Sequence, residues 1–125
     1  MKIVTAVNAM IMNKDLISSV YKGPLEGVSE YFFVYNSKYK WSISYFQEGS
    51  EDTYYLNYYP ENISIQDLAM ITSWDDRQFM TYSTKTLGTK EAYETFQELY
   101  QIVKEKIYGI DSVLDKIIKD ADPPF

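Results

Sequence analysis

Ser29-Glu30-Tyr31-Phe32-Phe33-Val34-Tyr35-Asn36-Ser37-Lys38-Tyr39-Lys40-Trp41-Ser42-Ile43-Ser44-Tyr45 is the stretch whose reading decides the fold. In its first part Tyr31, Phe33 and Tyr35 alternate with Phe32 and Val34, so both faces are apolar, as in a central strand. Asn36-Ser37-Lys38 then supplies turn chemistry. Beyond the turn, Trp41, Ile43 and Tyr45 point one way while Lys40, Ser42 and Ser44 point the other, the pattern of a strand buried on one face only.

Working outward, Gln47 to Asp52 reads as a loop and Thr53 to Tyr59 as a third strand ending at Pro60, which makes an antiparallel meander. Ser64-Ile65-Gln66-Asp67 resembles a capping arrangement that opens a short helix through Ala69. Two β-prone runs, Ile71 to Trp74 and Phe79 to Ser83, flank the polar tip Asp75-Asp76-Arg77-Gln78. They predict a hairpin, with extension of the preceding helix through Trp74 as the rival. Thr89 caps a long helix on which Ala92, Phe96, Leu99, Val103 and Ile107 recur at i, i+3, i+4 spacing up to Gly109. Asp111 then caps a last helix with Val113, Leu114, Ile117 and Ile118 as its apolar stripe.

The N-terminal segment is ambiguous. Val4, Val7, Met10 and Ile11, then Ile17, Val20 and Tyr21, follow helical spacing, with Gly23-Pro24 as a stop. Lys14 and Asp15 interrupt that stripe, Asn13 can cap a second helix, and a short first strand stays open; helix is the favoured reading. The expected fold is α+β. One domain spans residues 1–125, with an antiparallel sheet of four to five strands (meander plus hairpin) against an N-terminal helix and two C-terminal helices.

Composition bounds the chemistry. The 125 residues include thirteen tyrosines and two tryptophans but no histidine and no cysteine. Ser-His-Asp and Cys-His catalysis are therefore closed, as are imidazole and thiolate metal ligation and disulfides. No catalytic residue, metal or cofactor is assigned. Twelve basic against eighteen acidic residues give a net charge of −6. That balance disfavours nucleic acid and anionic membranes and fits a solvated surface. Eleven of the twelve basic residues are lysine, a bias matching AT-rich coding and a bacterial or mobile-element origin. The apolar start, broken by Asn8, is short for a signal core and far too short for a membrane span, so a cytoplasmic location is expected.

What remains is carboxylates, hydroxyls, lysines, one arginine and much aromatic surface. Tyr31, Tyr35, Tyr45, Tyr54, Tyr55, Tyr58, Tyr59 and Tyr82 all fall on predicted strands. Alternation should turn half of them away from the helix layer. Tyrosine is a good strand former whose ring packs while its hydroxyl reaches water, and it is also enriched at interfaces. The leading expectation is a non-catalytic interaction protein that binds another protein, or itself, through a tyrosine-rich surface. The alternative is an aromatic-lined pocket for a planar or nucleotide-like anion, and a carboxylate-based hydrolase is the third reading.

The candidate binding residues are Arg77, Trp74, Tyr82, Tyr55, Tyr59 and Lys40, with Arg77 the only guanidinium available for a bidentate contact. Helical acids one turn apart (Glu91, Glu94, Glu98; Asp111, Asp115) and the pair Asp75-Asp76 read as solvated faces rather than metal ligands. Gly88-Thr89 marks a helix N-terminus, which any helix has.

Overall fold

The computed structural model describes residues 1–25, 27–60, 62–71 and 79–121. In chain order the elements are α1 (Lys2–Met12), a 3-10 turn (Lys14–Leu16), β1 (Ile17–Lys22), β2 (Ser29–Tyr35), β3 (Tyr39–Glu48) and β4 (Glu51–Tyr59). They continue with α2 (Ile65–Met70), β5 (Met80–Ser83), α3 (Thr84–Leu87), α4 (Lys90–Tyr108) and α5 (Ile110–Ala121). The five strands pair antiparallel in sequence order, β1-β2-β3-β4-β5, so the fold is α+β as read. No described helix is long and apolar enough to cross a membrane.

Each hairpin follows from its turn. Between β2 and β3, Asn36 and Ser37 both adopt positive φ (53° and 59°), the backbone that matches the right-handed twist of paired strands. Between β3 and β4 the expected loop of residues 47–52 shrinks to Gly49-Ser50. Gly49 sits at φ 62°, and both strands run on until Glu48 faces Glu51. The helix signals hold locally. Ser64 Oγ accepts from the Asp67 N–H at 3.1 Å, Thr89 Oγ1 accepts from the Ala92 N–H at 3.1 Å, and Gly109 closes α4 at φ 60°.

Residues 17–21 are a strand, not the favoured helix. The helical spacing has a specific origin: β1 carries a bulge. Ser18 faces Val34 and Tyr21 faces Phe32, so three steps on β1 match two on β2, with Ser19 at φ 53°. The extra residue lets Ile17 and Val20, three apart, join the same core cluster, which imitates a helical i, i+3 pair. For the predicted hairpin, β5 pairs with β4, while its tip and most of its first arm lie outside the described residues. The rival helix extension fails at Ile71, whose extended backbone caps α2.

The sheet has a core on each face. On one, Val7 and Met10 of α1 and Phe96, Leu99, Tyr100 and Val103 of α4 bury Tyr31, Phe33, Ile43, Tyr54 and Leu56. On the other, Ile65, Leu68 and Ala69 of α2 cover Phe32 and Tyr59. β3 is accordingly covered on both faces, and Ser42 and Ser44, expected to face water, are both 0% exposed. Short side chains at these positions let larger neighbours close over them.

All eight tyrosines expected on strands are on strands. Several build the first core rather than a surface. Tyr54 packs at 5.1 Å from Tyr45, 5.4 Å from Tyr100 and 5.5 Å from Tyr93, and Tyr100 reaches Tyr31 at 5.6 Å. Asp52 anchors the cluster's rim, accepting from the Tyr45 hydroxyl at 2.8 Å and the Tyr93 hydroxyl at 3.3 Å.

That bond to Asp52, with burial and the carboxylate's charge behind it, pushes the Tyr45 hydroxyl from 10.0 up to about 12. Burial, followed by Tyr100, raises Tyr31. Burial, followed by Tyr93, raises Tyr54, and burial followed by Asp52 raises Tyr93. Each of the four holds its proton more tightly when folded. For Tyr45 that stabilisation is complete below pH 10 and is lost as pH climbs through about 12, and the other three, also raised, lose theirs on the same alkaline side. In an alkaline titration followed by tyrosinate absorbance and circular dichroism, this group should ionise late and together with unfolding. Thirteen tyrosines titrating as one unperturbed class, with the fold intact, would contradict the cluster.

Candidate functional site

Two features of the sheet could carry function, one on each face. The first is a buried polar chain under the α2 side. Strand pairing sets Ser42 opposite Asn57 and Asn57 opposite Thr81, with Glu30 one diagonal step from Ser42. Ser42 Oγ donates to Glu30 Oε2 at 2.8 Å, lies 2.8 Å from the Tyr59 hydroxyl, and accepts from Asn57 Nδ2 at 3.1 Å. With its one O–H donating to Glu30, Ser42 accepts a hydrogen bond from the Tyr59 hydroxyl. Thr81 Oγ1 donates to Asn57 Oδ1 at 2.9 Å and carries the chain onto β5.

Glu30 is 1% exposed, so a carboxylate with a tyrosine and a serine at hand does exist in the interior. Gly23 packs beside it: a Cβ there would crowd the Phe32 ring at 3.3 Å and touch Glu30 Oε1 at an ordinary contact distance of 3.6 Å. Each contact of the chain links one strand to the next, and each Ser42 bond is internal to the fold. The arrangement is one of support.

The second feature is on the α1/α4 face, where the cross-strand rows Trp41–Tyr58–Met80 and Leu56–Tyr82 run beyond the helices. Tyr39, Trp41, Tyr58, Met80 and Tyr82 line an open depression of about 260 Å³. Met80 is 59% and Tyr39 41% exposed. Trp41 and Tyr82 also touch the core, and Trp41 stacks at 5.0 Å on Tyr58, so the floor is fixed from beneath. The Trp41 indole N–H is buried with no acceptor among the described residues, a cost the fold carries to keep the ring in place. Lys38 lies over the Tyr39 ring, 5.5 Å from its centroid.

The chain matches no protein-family model, no curated protein and no solved structure. Its functional reading rests on geometry.

Of the six residues singled out from sequence, the four that are described do not all come together. Tyr82 belongs to the aromatic depression. Tyr55 lies on the opposite face, half-buried and edge-on to Phe46 at 5.4 Å. Tyr59 is fully buried in the polar chain. Lys40 is on that same face, where its Nζ donates to the Ile63 carbonyl at 2.7 Å and ties down the approach to α2. Arg77 and Trp74, with Asp75 and Asp76, lie outside the described residues.

Sequence reading passed over Trp41, Tyr58, Tyr39 and Met80 as a group, although alternation already put Trp41 on the helix-side face. What was missing was the register that sets Tyr58 opposite Trp41 and Met80 opposite Tyr58. Among the described residues no group of three or more acids could hold a metal ion, and Glu91, Glu94 and Glu98 face solvent. At the helix start Gly88 shares a surface depression with Glu51, Asp52 and Lys85, and Thr89 caps its own helix.

Ser42 and Ser44, two positions apart on one strand, make opposite predictions. Ser42→Ala strips a hydrogen bond from Glu30, Tyr59 and Asn57 and should destabilise by about 2–3 kcal/mol. Ser44 Oγ is buried with no partner among the described residues, so Ser44→Ala should be neutral or stabilising by up to about 1 kcal/mol. Urea denaturation of both variants checks the pair; equal effects would contradict the network.

Proposed function

We propose that this chain is a non-catalytic interaction domain that binds another protein through the depression formed by Tyr39, Trp41, Tyr58, Met80 and Tyr82. The observation carrying this reading is that a contiguous aromatic surface on three adjacent strands has no cover among the described residues, while the centre of that face, Tyr31, Phe33, Ile43, Tyr54 and Leu56, is buried. Tyr, Trp and Met are the residue types enriched in interface centres, where large rings contribute area at little conformational cost. Strand register and the core beneath hold these rings in place before any partner arrives, which lowers the ordering cost of association.

A small planar ligand is the weaker reading of the same surface. Ligand pockets usually enclose roughly 300–1,000 Å³ and cover most of the ligand. This depression is smaller, at about 260 Å³, and open.

Selection of a random displayed-peptide library on the immobilised domain tests the reading. Peptides should be recovered whose affinity falls at least ~10-fold on Met80→Glu or Tyr39→Glu. Both residues are exposed, so melting temperature should stay unchanged. Recovered peptides that bind both variants as tightly as the parent would place binding elsewhere and overturn the proposal.

A further inference from the structure

A second surface, remote in kind from the aromatic depression, is α5. Every described residue from Ser112 to Ala121 is exposed, including Val113 (45%), Leu114 (48%), Ile117 (58%) and Ile118 (68%), and Tyr108 just before it is 63% exposed. The twelve-residue helix follows the left-handed Gly109 and has α4 as its main neighbour. Helices shorter than about 12–15 residues are marginal in water unless an apolar face is packed. The apolar face of α5 is strong and continuous, yet this chain offers it no cover among the described residues.

We infer that α5 pairs with α5 of a second copy, antiparallel about a two-fold axis. The stripe is self-complementary. Ile110, Val113, Leu114, Ile117, Ile118 and Ala121 are symmetric about the midpoint between residues 115 and 116. Reversing the helix therefore sets Val113 against Ile118, Leu114 against Ile117, and bulky Ile110 against small Ala121. The same patch on both subunits is what a two-fold interface requires.

The area is modest. The four exposed apolar side chains of α5, at roughly 100 Å² each, give about 800 Å² over two copies, at the small end of the interface range. Charge agrees. Three acids and two lysines leave α5 at only −1 of the chain's −6, so the pairing brings little like charge together. A helix lying on lipid would instead carry excess lysine on its polar face.

Light scattering on the intact chain tests the inference. It should run at twice its 14.7 kDa mass. Ile117→Glu should raise the dimer dissociation constant by on the order of 100-fold. Met80→Glu should leave the dimer intact, which separates this surface from the aromatic one. The chain has no cysteine, so Leu114→Cys provides a single thiol; a short bifunctional maleimide should link it to its symmetry mate, while Ser50→Cys should dimerise but remain unlinked. That measurement holds even if the charged variant perturbs α5. A monomer at every concentration, a dimer indifferent to Ile117→Glu and unlinked by Leu114→Cys, or a monomer that co-sediments with phospholipid vesicles would each overturn it.

Discussion

The hydroxyl of Ser42 is the point on which the sheet depends. It sits on the central strand, is sealed from water, and makes three hydrogen bonds at 2.8–3.1 Å that reach β2 through Glu30 and β4 through Tyr59 and Asn57. Asn57 passes the link to β5 through Thr81. A strand slipped by one residue would turn every side chain to the wrong face. It would also strand a carboxylate, a carboxamide and a phenol in the interior without these partners. Apolar burial alone would resist such a slip weakly here, because β2 is apolar on both faces. The polar chain supplies the discrimination that hydrophobicity cannot, and it also leaves the aromatic rows facing the helices.

Given that register, the fate of each tyrosine follows from its row. Tyr31, Tyr54 and Tyr100 meet under α4 and become core. Tyr45 and Tyr93 close the rim through Asp52. Tyr58 and Tyr82, one or two rows farther along, lie where helix cover thins out, and with Tyr39, Trp41 and Met80 they remain accessible. The tyrosine excess thus has more than one use: Tyr31, Tyr45, Tyr54, Tyr93 and Tyr100 hold the sheet to α4, Tyr59 is buried on the α2 side, and Tyr39, Tyr58 and Tyr82 form a surface.

Much of the architecture was legible because local signals and global pattern agree. Ser64, Thr89 and Gly109 behave as their capping chemistry implies, and Asn36-Ser37 turns the first hairpin. Three features were hidden for physical reasons. The bulge at Ser19 gave β1 a helical period, so periodicity pointed to the wrong element. Ser42 and Ser44 carried the polarity of a solvent face but are covered, since a serine looks the same in sequence whether water or Glu30 takes its proton. The aromatic depression needed Trp41 from β3, Tyr58 from β4 and Met80 from β5 to be seen as neighbours, and only strand register provides that. Of the four described residues among the six chosen as a site, Tyr82 is in the depression, while Tyr55, Tyr59 and Lys40 occupy the face that alternation assigns them, opposite to it.

On the proposed reading, binding takes place on the accessible aromatic rows of Tyr39, Trp41, Tyr58, Met80 and Tyr82. The most direct test is a resonance-level titration of the isotopically labelled domain with a peptide or protein it has been shown to bind. The Met80 methyl and the Trp41 indole signals should move first and saturate together, while the methyls of Ile117 and Ile118 on α5 stay still. Shifts confined to α5 or to the α2 side, with Met80 and Trp41 unmoved, would contradict it.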